Sequence, residues 1–280
     1  MAPNDNGQRA RPDAETCPPD DEVPLPGNEM RLPGDEVPLP GGNVGGAVRV
    51  GDTVRRATGP WTPAVHALLA HLADRLPHVP RVLGIDERGR EVLTFMPGRV
   101  IDLDTEVLSP AQLVDLVRWT RLFHDAVAGF AHPGPWRYFP IPAATIIGHN
   151  DIAPYNACFE DDRLSGVFDW DLSGPSTPLL ELAFIAWNGV PLWSDELDPV
   201  WSAERLELIA SAYGSFGPRQ ILRAVPARIQ IMLDGIPTAA AAGDAGMVHL
   251  MTTGEPGRSR ASLARLVDRI PAIDAELSRS

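Results

Sequence analysis

The chain has 280 residues, 44% of them hydrophobic, and a formal net charge of −13 at pH 7. That length is enough for one large or two modest globular domains, and the negative charge argues against nucleic acid as a partner. No run of about 18 apolar residues occurs, so we expect no transmembrane helix. The amino terminus lacks the apolar stretch of a secretory signal, and two cysteines, Cys17 and Cys158, provide no disulfide framework. We therefore expect a cytoplasmic protein without membrane partners.

A heptapeptide occurs twice near the amino terminus. Asp-Glu-Val-Pro-Leu-Pro-Gly at 21–27 recurs at 35–41. Residues 1–34 are rich in Pro, Gly, Asp and Glu, so we expect them to be disordered because they cannot bury enough apolar surface to offset the entropy of ordering. Two copies are too few for a solenoid. The first copy is either an accidental duplication or a competitor for the strand position of the second.

Short strands and one helix are predicted before residue 97, and mostly helices after it. Alternating apolar residues and turn pairs indicate strands at 47–50, 53–56, 80–85 and 90–95, with a helix between them that has its N-cap at Thr62 and ends at Pro77. A capping box at Ser109–Gln112 begins a helix that runs to about Val127. Further helices are predicted at 180–187, 202–213, 218–234, 244–251 and 256–270.

One stretch in the middle of the chain carries the residues of a phosphoryl-transfer site. Asp151 follows His149 by two residues and precedes Asn156 by five, and Asp169 follows the short apolar run that ends at Phe168. One carboxylate can orient or accept the proton of an attacking hydroxyl, while an amide and a second carboxylate hold Mg²⁺ against nucleotide phosphates.

A predicted hairpin at 157–168 brings the two metal-ligand candidates together, because Asn156 precedes its first strand and Asp169 follows its second. Two other readings stay open at this point. Asp151, Asn156 and Asp169 are also typical of turn and cap positions. A metal site built on His149 and Asp151 is a further alternative, although no other His or Cys cluster lies nearby.

The order His-x-Asp-x-x-x-x-Asn, a hairpin, and a strand that ends in Asp-Trp-Asp resembles the aminoglycoside phosphotransferase family of kinase-like small-molecule phosphotransferases. The resemblance extends from about Glu36 to the end of the chain. It implies an α+β, two-lobed, protein-kinase-like fold. An N-lobe at 35–97, with a small antiparallel sheet, would bind the nucleotide, and a mostly helical C-lobe at 98–280 would carry the catalytic loop and the acceptor pocket.

The resemblance also implies a role for individual residues. Asp151 would be the catalytic base or orienting group, and Asn156 and Asp169 would bind Mg²⁺. The phosphoryl donor would be ATP or GTP, and the acceptor would be a hydroxyl of a small molecule, which the negative charge of the chain favours as a cation. The nucleotide would contact a strand cation, a glycine-rich turn and the backbone of the hinge, here Arg55, Gly42, Asn43, Gly45, Phe95 and Met96.

Two positions depart from the pattern of the family. The helix that normally supplies a glutamate to the strand cation reads Ala-Val-His-Ala at 64–67, where His66 is the one polar residue, and the strand cation is Arg55 in place of lysine. The alternative function is therefore a nucleotide-binding regulatory pseudokinase with a degenerate site. Asp171 is expected to support the site, bind a second metal ion or cap a turn, and Glu181 is expected to brace the catalytic loop.

Overall fold

The amino-terminal sheet has five short antiparallel strands in the order β1-β2-β3-β5-β4. They are β1 Val37–Pro38, β2 Val48–Val50, β3 Thr53–Arg56, β4 Val82–Ile85 and β5 Glu91–Thr94. The computed structural model describes residues 36–39, 46–194, 196 and 198–279, all within one unit that spans Gly34–Ser280. The predictions for residues 1–34 and for Gly42, Asn43 and Gly45 lie outside these described residues.

Helix α1, Thr62–Leu72, follows β3 in the chain, and its apolar stripe is buried. The stripe comprises Val65, Leu68, Leu69 and Leu72. The helix ends at Leu72, before the predicted end at Pro77, and a closing turn follows in which the amides of Arg75 and Leu76 both donate to the carbonyl of Leu72. The N-cap position is occupied by Trp61, so the prediction that Thr62 caps the helix is wrong. The hydroxyl of Thr62 accepts a hydrogen bond from Gly59 N at 2.9 Å.

Helix α2, Pro110–Ala126, begins with the predicted capping box. Ser109 Oγ accepts a hydrogen bond from Gln112 N at 3.1 Å, and Gln112 Oε1 accepts one from Ser109 N at 2.9 Å. These two bonds satisfy amide groups that a helix start otherwise leaves unpaired. The prediction for this helix start is confirmed.

The predicted helices of the C-lobe are present, and all except α6, which has the predicted length, are longer than expected. They are α3 Pro178–Gly189, α4 Pro199–Tyr213, α5 Pro218–Ala241, α6 Ala245–Thr252 and α7 Glu255–Glu276. Proline usually ends a helix because it lacks an amide hydrogen and clashes with the preceding turn, yet α5 continues through Pro226 and Pro237 and α7 through Pro271. Tertiary packing of the apolar face of α5 outweighs this preference: Ile221, Leu222, Val225, Ile229, Leu233 and Ile236 are all buried.

Two small sheets flank the central motifs, and all their strands except β6, which precedes α2, lie between α2 and α3 in the chain. One contains β6 Arg99–Val100, β8 Ala157–Glu160 and β9 Arg163–Val167 in the order β6-β8-β9. In the other, β7 Ile146–Gly148 pairs antiparallel with β10 Gly174–Ser176. The described chain therefore has the predicted α+β architecture of two lobes. Within the described ranges, no helix has both the length and the apolar character that crossing a bilayer requires.

A buried histidine joins α2 to α4. His124 Nδ1 lies 2.8 Å from Tyr213 Oη, and burial lowers the pKa of His124 to about 3. In the unfolded chain this histidine takes up a proton with a pKa of about 6.5, whereas in the folded state it stays neutral until the pH approaches 3. The stabilising contribution is therefore complete above pH 6.5. It falls as the pH drops towards 3, by up to about 1.4 kcal/mol for each pH unit.

We expect His124→Gln to make the free energy of unfolding less dependent on pH between 7 and 5. The glutamine does not titrate. The number of protons taken up on unfolding, which sets the slope of the free energy of unfolding against pH, should therefore be smaller by about one near pH 5 than in the unaltered chain. His149, whose pKa burial lowers to about 4, supplies the same sign of dependence in both proteins. Urea unfolding at several pH values measures the two slopes, and equal slopes would contradict the assignment.

Candidate active site

The backbone of the loop after β7 is fixed by a buried glutamate of α3. Glu181 Oε2 accepts a hydrogen bond from His149 N at 2.9 Å, and its Oε1 accepts one from Asn150 N at 3.0 Å. Gly148 lets the carboxylate approach this closely, since a Cβ there would lie 2.9 Å from Glu181 Oε1. The predicted bracing role of Glu181 is confirmed.

Asn150 adopts a left-handed backbone conformation, with φ of 63°, that directs Asp151 into the site. Asparagine tolerates this region better than most residues. Its Nδ2 donates to the carbonyl oxygens of Leu172 and Gly174 at 3.1 and 3.2 Å, which ties the loop to the chain that follows β9. The loop is therefore held on both sides.

His149 acts as a structural link and not as a metal ligand. Its Nε2 donates to Phe168 O at 3.1 Å, and its Nδ1 accepts a hydrogen bond from Asp151 N at 3.3 Å. Burial lowers the pKa of His149 to about 4, so the ring is neutral at pH 7. Both ring nitrogens are occupied, which removes the alternative metal site on His149 and Asp151.

The carboxyl group of Asp151 is held by two neighbours. Its Oδ2 accepts a hydrogen bond from Asn156 Nδ2 at 2.8 Å, and its Oδ1 accepts one from Tyr155 Oη at 3.2 Å. Burial, together with the negative charge of Asp169, raises the pKa of Asp151 to about 7. A carboxyl with a pKa near the working pH is suited to exchange a proton with a substrate hydroxyl.

A buried arginine of α5 contacts the same loop. Arg228 is 1% exposed, its Nη2 donates to Asn150 O at 2.5 Å, and its guanidinium lies 4.2 Å from the ring centre of Phe184. Its positive charge opposes the effect of burial on the pKa of both Asp151 and Glu181. One buried cation therefore acts on both the loop carboxylate Asp151 and the helix carboxylate Glu181.

The hairpin of β8 and β9 brings the two metal-ligand candidates to one end, as the sequence predicted. Ala157 pairs with Val167, and Phe168 N donates to Asn156 O at 3.0 Å. Asn156 Nδ2 donates to the carbonyl and to Oδ2 of Asp151, so its Oδ1 is left as an acceptor. An amide oxygen and the carboxylate of Asp169 are the hard oxygen ligands that Mg²⁺ prefers.

Trp170 anchors Asp169. The indole is fully buried, packs edge-on against Phe123 with ring centres 5.3 Å apart, and donates from Nε1 to Val167 O at 3.0 Å. Asp169 itself has a φ of 61°, and its side chain is 39% exposed. The buried tryptophan thus fixes an otherwise unfavourable backbone conformation that presents the carboxylate to solvent.

The two adjacent arginines of β3 point to opposite faces of the sheet, and Arg56 is the one that reaches the site. Arg56 donates from Nη1 to Asp169 Oδ1 at 2.7 Å. Arg55, predicted to bind phosphate, lies on the other face with its Nε 3.8 Å from Asp86 Oδ2. The predicted placement of Arg55 is therefore wrong, and Arg56 is the strand cation that faces the metal-ligand candidates.

The pairing of β3 with β5 explains this orientation. Val54 lies opposite Leu93, and Arg56 lies opposite Glu91; both residues of β5 are buried. Because side chains alternate along a strand, Arg56 shares the inner face with Val54, the apolar residue two positions earlier. That alternation was a usable signal in the sequence.

A carboxylate on β5 supplies the charge that α1 lacks. Glu91 Oε1 accepts a hydrogen bond from Arg56 Nε at 2.5 Å, and His66 Nε2 of α1 lies 2.8 Å from Glu91 Oε2. The absence of an acid at 64–67 therefore leaves no unpaired strand cation. Local sequence gave no signal for Glu91, because its contact with Arg56 depends on pairing between strands 35 residues apart.

Asp171 bridges two arginines. It accepts hydrogen bonds from Arg56 Nη2 and, at 3.3 Å, from Arg137 Nη1. Arg137 also forms two hydrogen bonds with Asp244, at 2.8 and 2.7 Å, and its guanidinium lies 4.2 Å from the ring centre of Trp61. These contacts connect the two lobes beside Asp169. Neither Arg137 nor Asp244 was predicted from the sequence to contact the site.

The two predicted hinge residues differ in their free backbone groups. Phe95 N donates to Asp52 O at 2.9 Å, so this amide is already paired. Within the described residues the amide of Met96 makes no hydrogen bond, whereas its carbonyl lies 3.8 Å from Cys158 Sγ. Met96 is therefore the better candidate for a backbone contact with a nucleotide base.

Comparison with known proteins identifies relatives that match more than half of the chain. The model of a family described as "Phosphotransferase enzyme family", APH, matches residues 54–142 and 136–221. The Trifolitoxin immunity protein of Rhizobium leguminosarum bv. trifolii is 32% identical over 182 residues, which cover 59% of this chain and 69% of that protein.

Solved structures of kinases of small molecules share the fold. An amicoumacin kinase has a TM-score of 0.57 at 13% identity and covers 85% of this chain and 88% of its own. A choline/ethanolamine kinase family protein from Mesorhizobium loti has a TM-score of 0.52 at 17% identity, with 85% and 92% coverage. With the family match over residues 54–221 and the relative from Rhizobium, these likenesses establish that the chain belongs to the aminoglycoside phosphotransferase family of phosphotransferases.

Proposed function

We propose that this phosphotransferase moves the γ-phosphoryl group of ATP or GTP to a hydroxyl group of a small-molecule acceptor, with Mg²⁺ as the metal ion. The observation that carries the proposal is the convergence of Asp151, Asn156, Asp169 and Arg56. Asp151 is bonded to Asn156, and Asp169 is bonded to Arg56. A base, two oxygen ligands and a cation in contact are the parts that phosphoryl transfer needs.

Each residue has a defined task in this proposal. Asp151 orients the acceptor hydroxyl and takes up its proton, which suits a carboxyl whose pKa is about 7. Asn156 Oδ1 and the Asp169 carboxylate hold Mg²⁺, which neutralises charge on the nucleotide phosphates. Arg56 binds phosphate oxygens, and the amide of Met96 meets the base. Gly42, Asn43 and Gly45 precede β2 and complete the phosphate contacts.

The printed name of one relative suggests where to look for the acceptor. The Rhizobium protein is named an immunity protein against trifolitoxin. We infer that the first acceptors to screen are antibacterial compounds that carry a hydroxyl group, and cationic ones among them, since the chain has a net charge of −13.

A regulatory pseudokinase is the second candidate, and one observation now weighs against it. Its motivation was the missing helix acid and the arginine in place of lysine. The pair formed by Arg56 and Glu91 restores the ion pair from another strand. A protein that only bound nucleotide would have no chemical need for Asp151 in addition.

We expect calorimetric titration to show ATP binding that Mg²⁺ strengthens, and Asp169→Ala to remove the Mg²⁺ dependence. The variant removes one of two protein ligands to the metal ion, and a lost ligand of this kind should weaken metal-dependent binding by at least about tenfold. Glu160→Ala, which removes an exposed carboxylate at the end of β8, is the matched control and should keep the dependence.

The outcomes separate the candidates. Mg²⁺-dependent binding with phosphoryl transfer to any screened hydroxyl supports the phosphotransferase. Binding without turnover across the screen supports the regulatory protein. If neither ATP nor GTP binds the unaltered protein, the proposed site is wrong.

A further inference from the structure

Three carboxylates surround the guanidinium of Arg56, and each of its nitrogen atoms is committed to one of them. Nε donates to Glu91 Oε1 at 2.5 Å, Nη1 donates to Asp169 Oδ1 at 2.7 Å, and Nη2 donates to Asp171 Oδ1. The side chain of Arg56 is 15% exposed, so water and salt screen these pairs only weakly. Nη1 and Nη2 each keep a second N–H, but a complete transfer of both to phosphate oxygens requires the pairs with Asp169 and Asp171 to open.

One of the three partners, Asp169, is the proposed metal ligand, and a second, Asp171, lies two residues after it. Asp169 is the carboxylate assigned to Mg²⁺, and the same oxygen, Oδ1, already accepts the hydrogen bond from Arg56. Asp171 accepts from Arg56 on one oxygen and from Arg137 on the other. A positive charge in contact with a carboxylate repels an incoming divalent cation. In this arrangement, Arg56 neutralises the carboxylates that follow β9.

The third partner is different, because its bond need not open. The Glu91 side chain is 2% exposed and lies directly opposite Arg56 in the pairing of β3 and β5. Burial alone would raise the pKa of Glu91, but the hydrogen bond from His66 and the charge of Arg56 outweigh it and lower the pKa. Glu91 is therefore ionised, and its contact with Nε leaves both terminal nitrogens of Arg56 free to change partners.

Building on the proposed function, we propose that Arg56 is a placeholder cation on Asp169 and Asp171 that passes to the nucleotide phosphates while Glu91 retains its Nε. Glu91 is a positioning residue in this arrangement. The negative phosphates replace Asp169 as the partner of the Arg56 guanidinium. The carboxylate of Asp169 then becomes available to the metal ion. Metal ion and nucleotide consequently bind together, and the metal ion alone binds weakly.

Binding of Mn²⁺ to the nucleotide-free protein tests the placeholder role without any turnover. Free Mn²⁺ is followed by its paramagnetic resonance signal. Arg56→Met removes the competing charge, so we expect Mn²⁺ to bind at least about tenfold more tightly than to the unaltered protein. Arg55→Met, on the opposite face of the same strand, is the matched control and should leave Mn²⁺ affinity unchanged. Arg56→Met combined with Asp169→Asn should lose the gain.

A second variant tests the role of Glu91. It also keeps the inference testable if the Arg56→Met protein fails to fold. Glu91→Gln keeps the size of the side chain and leaves Arg56 on Asp169 and Asp171. We expect it to show no gain in Mn²⁺ affinity but to weaken ATP binding in the presence of Mg²⁺ by about fivefold or more. A general loss of structure would lower both affinities, and thermal unfolding of each variant checks the fold.

The results either support or overturn the inference. Tighter Mn²⁺ binding by Arg56→Met alone, with weaker ATP binding by Glu91→Gln, supports it. Unchanged Mn²⁺ affinity in Arg56→Met overturns the placeholder role even where the unaltered protein binds ATP with Mg²⁺, in which case the proposed function stands. An unaltered protein that binds no nucleotide overturns both.

Discussion

Replacement of Asp151 by asparagine should lower kcat by about 100- to 10,000-fold, the range that a positioned general base contributes. The amide keeps the size of the side chain and can still accept the hydrogen bond from Asn156 Nδ2. It cannot take up the proton of an acceptor hydroxyl. We therefore expect the loss to appear in kcat, with an unchanged affinity for the nucleotide, once an acceptor has been identified.

Glu160→Gln is the matched control for Asp151→Asn. Glu160 is exposed at the end of β8, on the same hairpin but away from the loop. Its replacement should leave kcat and the melting temperature unchanged. If Asp151→Asn retains more than about a tenth of the activity, Asp151 only positions the loop and another group accepts the proton.

Replacement of Glu181 by leucine should lower the free energy of unfolding by about 2–6 kcal/mol, since each of two buried amides loses its acceptor at a cost of about 1–3 kcal/mol. Glu181 is 1% exposed and accepts hydrogen bonds from two backbone amides of the catalytic loop. Its loss leaves both amides unpaired and leaves the buried charge of Arg228 without compensation from this carboxylate. Urea unfolding measures the difference.

A second variant distinguishes the uncompensated charge from the lost hydrogen bonds. In Glu181→Leu combined with Arg228→Met, the buried cation whose charge Glu181 offsets is removed as well, so we expect part of the lost stability to return. Arg223→Met on the same helix, where the arginine side chain is 66% exposed beside Asp274, should cost less than about 1 kcal/mol. A double variant less stable than Glu181→Leu would show that Arg228 stabilises the loop by itself.

The parts of the site that lie close together in sequence were predictable. Asp151 and Asn156 are five residues apart, and a short hairpin carries Asp169 to the same end, so local turn chemistry and strand pairing were enough. The face of β3 was also accessible in principle, because Val54 marks the buried side and Arg56 shares it. The choice of Arg55 came from matching positions with the family and gave too little weight to alternation along the strand.

The remaining contacts depend on pairings that local sequence does not determine. Glu91 reaches Arg56 only because β5 pairs with β3 in one register. Arg137 lies in an irregular segment, and its partner Asp244 is 107 residues away. Arg228 was visible only as a charge within the apolar stripe of α5, three residues after Val225 and next to Ile229. Helix lengths were underestimated for a related reason, since packing can hold a helix through a proline.

The position of Glu91 has a consequence for control of this protein. Because Arg56 and Glu91 belong to neighbouring strands of one sheet, their contact does not depend on where α1 lies. A molecule that displaced α1 would break the bond between His66 and Glu91 and leave the contact with Arg56 intact. Movement of this helix would therefore not inactivate the protein through Arg56. The guanidinium of Arg56, which we propose binds phosphate, would keep its contact with Glu91 whether or not a regulator is bound.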